Sequence, residues 1–204
     1  MSQDPQHHWE DVYAHRDPAE VSWYQADPAP SLALITSAVN GDLAAPIIDV
    51  GGGASILSSR LAAAGHTDVT VLDVSRTALA ASRAQDPTGT VQQVHHDLLT
   101  WKPQRRYRLW HDRAVFHFLT GPADRDAYRA VLDQALAPGG TVVLATFALD
   151  GPTHCSGLEV ARYDAAGLAA ELGDRYTLTA HGRHDHHTPW NTVQHFTWIT
   201  ATRT

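Results

Sequence analysis

The chain has one lysine, Lys102, and one cysteine, Cys155, in 204 residues. A lone cysteine excludes an intramolecular disulfide, so nothing points to an oxidising compartment. Scarce lysine within a formal net charge of -7 leaves no basic footprint for nucleic acid, and no RNA or DNA partner is expected. No apolar run approaches the roughly 20 residues that span a bilayer, and residues 1–8 do not read as a signal peptide. A cytoplasmic protein with no membrane partner is expected. Internal repeats, low-complexity tracts and a convincing linker are also missing. With 43% hydrophobic residues the chain is long enough to bury one substantial core, and a single domain is expected.

What is present is an alternation of short buried strands with helical spacing. Residues 46–50, 68–73, 90–95, 107–111 and 141–147 read as strands, and 56–64, 77–84 and 123–137 as helices. This order predicts an α/β fold with a doubly wound, mostly parallel sheet. Two last apolar segments, 176–182 and 192–201, have no helix-length pattern between them and can pair as an antiparallel hairpin, although the segment between them is long for a hairpin loop.

The stretch 47–55, I-I-D-V-G-G-G-A-S, describes a buried strand running into a glycine turn and a helix. V-T-V-L-D follows, ending at Asp73, twenty-four positions after Asp49. Glycines at such a turn let the backbone approach a ligand, and an acid some 20 positions on can accept from ribose hydroxyls. For Asp73 the other reading is a helix N-cap, since D-V-S-R precedes a helical segment. A dinucleotide fingerprint needs a third glycine where Ile56 stands, which disfavours a nicotinamide-dependent oxidoreductase.

The D-x-G-x-G-x-S of residues 49–55 resembles motif I of the class I S-adenosylmethionine-dependent methyltransferases. Asp97, in V-Q-Q-V-H-H-D-L-L, stands where that family often carries an acid beside the adenine. L-A-P-G-G-T-V-V-L-A, 136–145, resembles the family's helix, turn and fifth strand. The resemblance covers roughly residues 45–147. It implies a seven-stranded Rossmann-like sheet ending in the antiparallel pair, and S-adenosyl-L-methionine as cofactor. It also implies one domain divided into an N-terminal flap and helix (1–40), a cofactor-binding core (45–147) and a substrate-side loop, helix and strand pair (148–204). Cofactor contacts are then expected from Asp49, Gly51, Gly52, Gly53, Asp73, Val74, Asp97 and Leu98.

W-H-D-R-A-V-F-H-F-L, 110–119, resembles the D-K-G-T-L-D-A motif of a methyltransferase group that includes protein-lysine enzymes, with Asp112 and Arg113 on its first two positions. His117 replaces the later acid, which weakens a lysine substrate. His111 and His117 titrate near neutrality and are candidates for removing a proton from a hydroxyl, thiol or ring nitrogen, with Asp112 fixing His117 or Arg113. Alternatively both histidines pack in the interior. Near the N-terminus, Trp9, Tyr13, Trp23 and Tyr24 resemble the group's aromatic flap, with Val12 where its arginine would stand. Packing of Trp9 on Tyr13 along one helix face is the other reading.

The polar segment 147–163 offers His154, Cys155, Ser156 and Arg162 as substrate-shaping residues, or as an ordered connection. Direct methyl transfer needs no cysteine nucleophile. The H-D-H-H at 184–187 lacks the fixed scaffold of a metal site, so no metal is expected. If this loop folds over the pocket, His186, His187 and Trp190 become substrate contacts. The implied reaction is in-line methyl transfer to an O, N or S atom of a small molecule. A protein-lysine methyltransferase is the alternative, and a non-catalytic S-adenosylmethionine-binding protein a further one.

Overall fold

The structure, a computed structural model, describes residues 4–86 and 88–204; residues 1–3 of the segment read for a signal peptide lie outside them. Helix α1 (Pro5–His15) starts where Asp4 accepts a hydrogen bond from the Gln6 amide, with Pro5 at the first helical position. Helix α2 is Ala29–Ala38. The expected alternation follows as β1 (Ile47–Val50), α3 (Leu57–Ala63), β2 (Val69–Asp73), α4 (Arg76–Gln85), β3 (Gln92–His95), β4 (Tyr107–Arg113), α5 (Pro122–Ala135) and β5 (Leu136–Phe147). A two-residue hairpin, β6 (His154–Cys155) with β7 (Leu158–Glu159), precedes α6 (Ala165–Leu172), and β8 (Tyr176–His187) and β9 (Val193–Arg203) close the chain.

Seven strands form one sheet in the order β3-β2-β1-β4-β5-β9-β8. All pairs from β3 to β5 are parallel, and β9 joins both β5 and β8 antiparallel. Strand order reverses between β1 and β4, which places a ligand crevice beyond their carboxyl ends. β1 and β2 are buried throughout, as strands covered on both faces must be.

Side chains alternate across a strand, and that period sorts the core into two layers. Ile47, Val69, Leu109 and Val143 pack under α2 and α3 with Ile35, Val39, Leu57 and Leu61. Ile48, Val50, Trp110 and Leu144 face α5 and α6, meeting Tyr128, Leu132, Leu168 and Leu172. Burying several such side chains at about 1.5–3 kcal/mol each is the main force holding helices to sheet.

Two boundaries differ from expectation. β5 begins at Leu136, so the proline-glycine stretch joins the strand through a register shift opposite Tyr107 and Leu109. The terminal strands are longer than their apolar runs: β8 and β9 pair from Tyr176↔Arg203 to His187↔Val193. The hairpin loop is only residues 188–192, and His184–His187 are strand residues, not a loop. Cross-strand partners explain the extension, since Asp185 accepts from His195 at 2.8 Å and polar side chains on an edge strand stay solvated.

Candidate active site

The turn after β1 requires its glycines. Gly51 sits at φ +67°, and a Cβ there would lie 2.1 Å from Val115 Cγ2. A Cβ on Gly52 would lie 2.1 Å from Asp49 Oδ2, and one on Gly53 2.6 Å from Asp73 Oδ2. The exposed backbone of Gly51 borders a crevice whose walls include Asp49, Gly52, Ser55, Ile56, His111 and Arg113, with Tyr13, Trp23, Tyr24 and Gln25 on the opposite side.

Strand parity decides which groups meet there. Asp49 and His111 are register partners on β1 and β4 and face α2. His111 Nδ1–H donates to Asp49 Oδ1 at 2.7 Å, and its Nε2 pairs with Ser31 Oγ of α2 at 3.0 Å. The other Asp49 oxygen is sealed from solvent without a partner. Asp112, one position on, faces α5 instead. It accepts from the Val115 and Phe116 amides and from Tyr128 Oη at 2.9 Å. Burial raises its pKa to about 6 against those hydrogen bonds. Asp112 therefore fixes the turn after β4 and contacts neither His117 nor Arg113, correcting the expected role.

His117 is fully buried, 4.5 Å from Phe118 and 4.7 Å from Phe147 between ring centroids. Neither ring nitrogen has a partner. Burial, and then the charge of Arg113, pushes its pKa down to about 3. It lies behind the crevice wall as a neutral ring, so it does not fit the expected base. Of the two histidines, His111 is the one on the wall.

Asp73 is buried beside the turn. Its Oδ2 accepts from the Gly53 amide at 2.9 Å and its Oδ1 from the Ser75 amide at 2.8 Å. Burial raises its pKa to about 6, with those amides opposing. The cap of α4 is Ser75, not Asp73. Glu10 of α1 reaches the same helix start, accepting from Ser75 Oγ at 2.6 Å and Thr77 Oγ1 at 2.8 Å. Burial opposes its ionisation, but these bonds outweigh that and hold the Glu10 pKa low. Helix α1 thus lies across the end of β2, and its aromatics form one cluster. Trp9 meets Trp23 at 5.7 Å and Phe118 at 5.1 Å, and Trp23 donates to Tyr13 Oη.

Several expected residues stand elsewhere. Val74 holds His95 through its carbonyl at 3.0 Å. Asp97 caps the 3-10 turn at Leu98–Thr100, and Leu98 packs on the core; none of the three borders the crevice. His154 is exposed and paired with Thr153, while Arg162 is exposed and donates to the Leu149 and Gly151 carbonyls. Both hydrogen-bond within the loop, and neither lines either cavity. Trp190, 60% exposed at the hairpin tip, borders neither cavity. His186 does: with Tyr24, Gln25, His184 and His187 it lines a second groove that shares Tyr24 and Gln25 with the first. Ser31, Gln25 and Glu10 were missed, because an isolated polar residue in a helix or loop carries no local sequence signal. Among the described residues, no group of three or more His, Cys, Asp or Glu is placed to hold a metal, and no helix is long and apolar enough to cross a membrane.

Residues 47–140 match the family described as methyltransferase domain. No curated protein matches the chain. Among solved structures, a SAM-dependent methyltransferase from Anabaena variabilis is similar at TM-score 0.77 and 14% identity, covering 98% of this chain and 96% of that one. The N-methyltransferase NodS from Bradyrhizobium japonicum, with S-adenosylhomocysteine, gives 0.73 and 14%, covering 98% and 99%. The Burkholderia thailandensis 1,6-didemethyltoxoflavin-N1-methyltransferase, with 1,6-didemethyltoxoflavin and S-adenosylhomocysteine bound, gives 0.70 and 20%, covering 98% and 84%. At these identities the likeness is one of fold. Residues 47–140 thus carry a methyltransferase domain, set in the seven-stranded sheet described above.

Proposed function

We propose that this methyltransferase acts on a small molecule, methylating an O, N or S atom in the crevice between the Gly51–Gly53 turn and the β8–β9 hairpin. The observation that carries this reading is the lining of the crevice. Trp23 and Tyr24 border it opposite the glycine turn, and past Tyr24 and Gln25 lies a short groove bordered by Asp27 and Pro189. Among the solved structures of like fold, one holds 1,6-didemethyltoxoflavin, a compact acceptor. A lysine side chain suits the site poorly, because Arg113 puts a buried cation where an ammonium would enter.

The residues present fit the cofactor. Asp49 Oδ2 is a buried, unpartnered acceptor beneath the glycine turn, suited to an ammonium, and Asp73 stands at the end of β2 for the ribose. Gly51, Gly52 and Gly53 would carry the backbone approach, and Trp9, Tyr13 and Trp23 the cover. When bound, S-adenosylmethionine supplies a methyl group already activated on a sulfonium. The chain's own contribution is then alignment and exclusion of water. His111, tied at both nitrogens, orients Asp49 and Ser31. The Cys155 thiol, pushed up to about 11 by burial, stays neutral and packs with Phe147, Val160 and Phe196. Residues 1–40, 45–147 and 148–204 act as flap, cofactor core and substrate side of one domain.

The test is methylation with radiolabelled cofactor of a panel of small thiols, phenols and nitrogen heterocycles, beside a protein lysate. Label in a small-molecule product is expected. Label only in protein lysine would overturn the reading.

A further inference from the structure

Arg113 ends β4, and the residue after it, Ala114, holds a left-handed φ of +71°. A non-glycine residue persists there only where the surroundings over-determine it. Here Asp112 takes the Val115 amide and Ala145 the Ala114 amide. The bend fixes where the guanidinium starts. Nη1 donates to the Trp23 carbonyl at 3.2 Å, and the guanidinium carbon lies 4.6 Å from the Phe196 ring centroid. Nη2 is sealed from solvent and has no partner.

The Asp49 carboxylate favours this cation through space but makes no ion pair with it. Among the described residues it enters no salt bridge. Burial lowers its pKa only to about 10, so it is charged at neutral pH. Around it stand the neutral Cys155 thiol and the rings of His117, His184 and His186, whose pKa values burial and then the Arg113 charge lower. A buried charge with no direct ion-pair partner is unfavourable unless a ligand completes it. Asp49 lies toward the glycine turn, and the other neighbours lie on the opposite side. Phe196, Cys155, His184 and His186 belong to β9, β6 and β8, on the side of β4 away from the glycine turn.

We propose that Arg113 is the anchor for the methyl acceptor, and that the acceptor carries an anionic group, a carboxylate, phenolate or thiolate, which pairs with Nη2. A planar guanidinium with Nη1 engaged by Trp23 and Nη2 left without a partner suits a carboxylate-like anion. This rests on the small-molecule reading above and narrows its substrate class.

The experiment is calorimetric titration of the protein saturated with S-adenosylhomocysteine, using benzoate and its neutral counterpart benzyl alcohol as probes. In the wild type, benzoate is expected to bind at least about tenfold tighter, and in Arg113→Met this preference should vanish while affinity for S-adenosylhomocysteine stays within about threefold. Arg113→Lys should keep part of the preference. Equal binding of both probes to the wild type would overturn the proposal without any variant. So would an undiminished benzoate preference in Arg113→Met. A loss of about tenfold or more in S-adenosylhomocysteine affinity in that variant, with the benzoate preference intact, would assign the charge to the cofactor carboxylate instead. Failure of the wild type to bind S-adenosylhomocysteine at all would sink the methyltransferase reading itself, a distinct result.

Discussion

Gly51 and His117 make opposite demands on a side chain. At Gly51 a Cβ meets Val115 at 2.1 Å in a left-handed backbone, so Gly51→Val must distort the turn. Affinity for S-adenosylhomocysteine is expected to fall by at least about tenfold, and calorimetry showing undiminished affinity would remove the turn from the site. His117 is an imidazole buried without partners, and the unfolded chain must protonate it at a pH where the fold does not. Its folded pKa of about 3 lies below the ordinary 6.5. The neutral ring's contribution is therefore complete above pH 6.5 and is lost as pH falls from there toward 3, by about 1.4 kcal/mol per unit. His117→Phe, matching the ring's aromatic neighbours, should lose less stability between pH 7 and 4.5 than the wild type. Urea midpoints across that range check this, and parallel pH profiles would contradict it. The glycine turn was legible because its chemistry is local. The histidines were not, because spacing gives no burial, although strand period alone separates Asp112 from His111 and Arg113.

Glu10 ties helix α1 to the start of α4 by hydrogen bonds. Glu10 accepts from Ser75 and Thr77 at the α4 N-terminus, where a carboxylate is favoured by unpaired amides and the helix dipole, worth about 1 kcal/mol. Glu10→Ala should loosen the flap and speed tryptic cleavage after exposed Arg16 several-fold, by about fivefold for that energy. An unchanged rate would mean that the aromatic cluster alone fixes α1. Helix α5 is tied to β4 through Tyr128, which donates to Asp112 and accepts from Trp110 at 2.8 Å. Tyr128→Phe leaves a buried carboxylate oxygen unpaired and should cost about 1–3 kcal/mol in chemical denaturation; no loss would show that the Asp112 network adds nothing. The apolar rhythm revealed α3 to α5. The reach of β8 and β9 into polar sequence was hidden, because edge pairing is set by cross-strand partners distant along the chain.

For the molecule, alternating strands and helices fixed the parallel sheet, and the final apolar pair implied its antiparallel edge. What they could not convey was assembly across 80 residues or more. Ser31 meets His111, Ser22 receives His186, and Trp23 receives Arg113 only once α2 and the N-terminal segment lie over the carboxyl ends of the strands. The central claim is that this crevice holds the sulfur nucleoside and not a dinucleotide. Side-by-side calorimetric titration with S-adenosylmethionine, S-adenosylhomocysteine and the nicotinamide dinucleotides tests it most directly. The account predicts binding of both sulfur nucleosides on the order of micromolar and none of the dinucleotides. Binding of a dinucleotide in their place would contradict it.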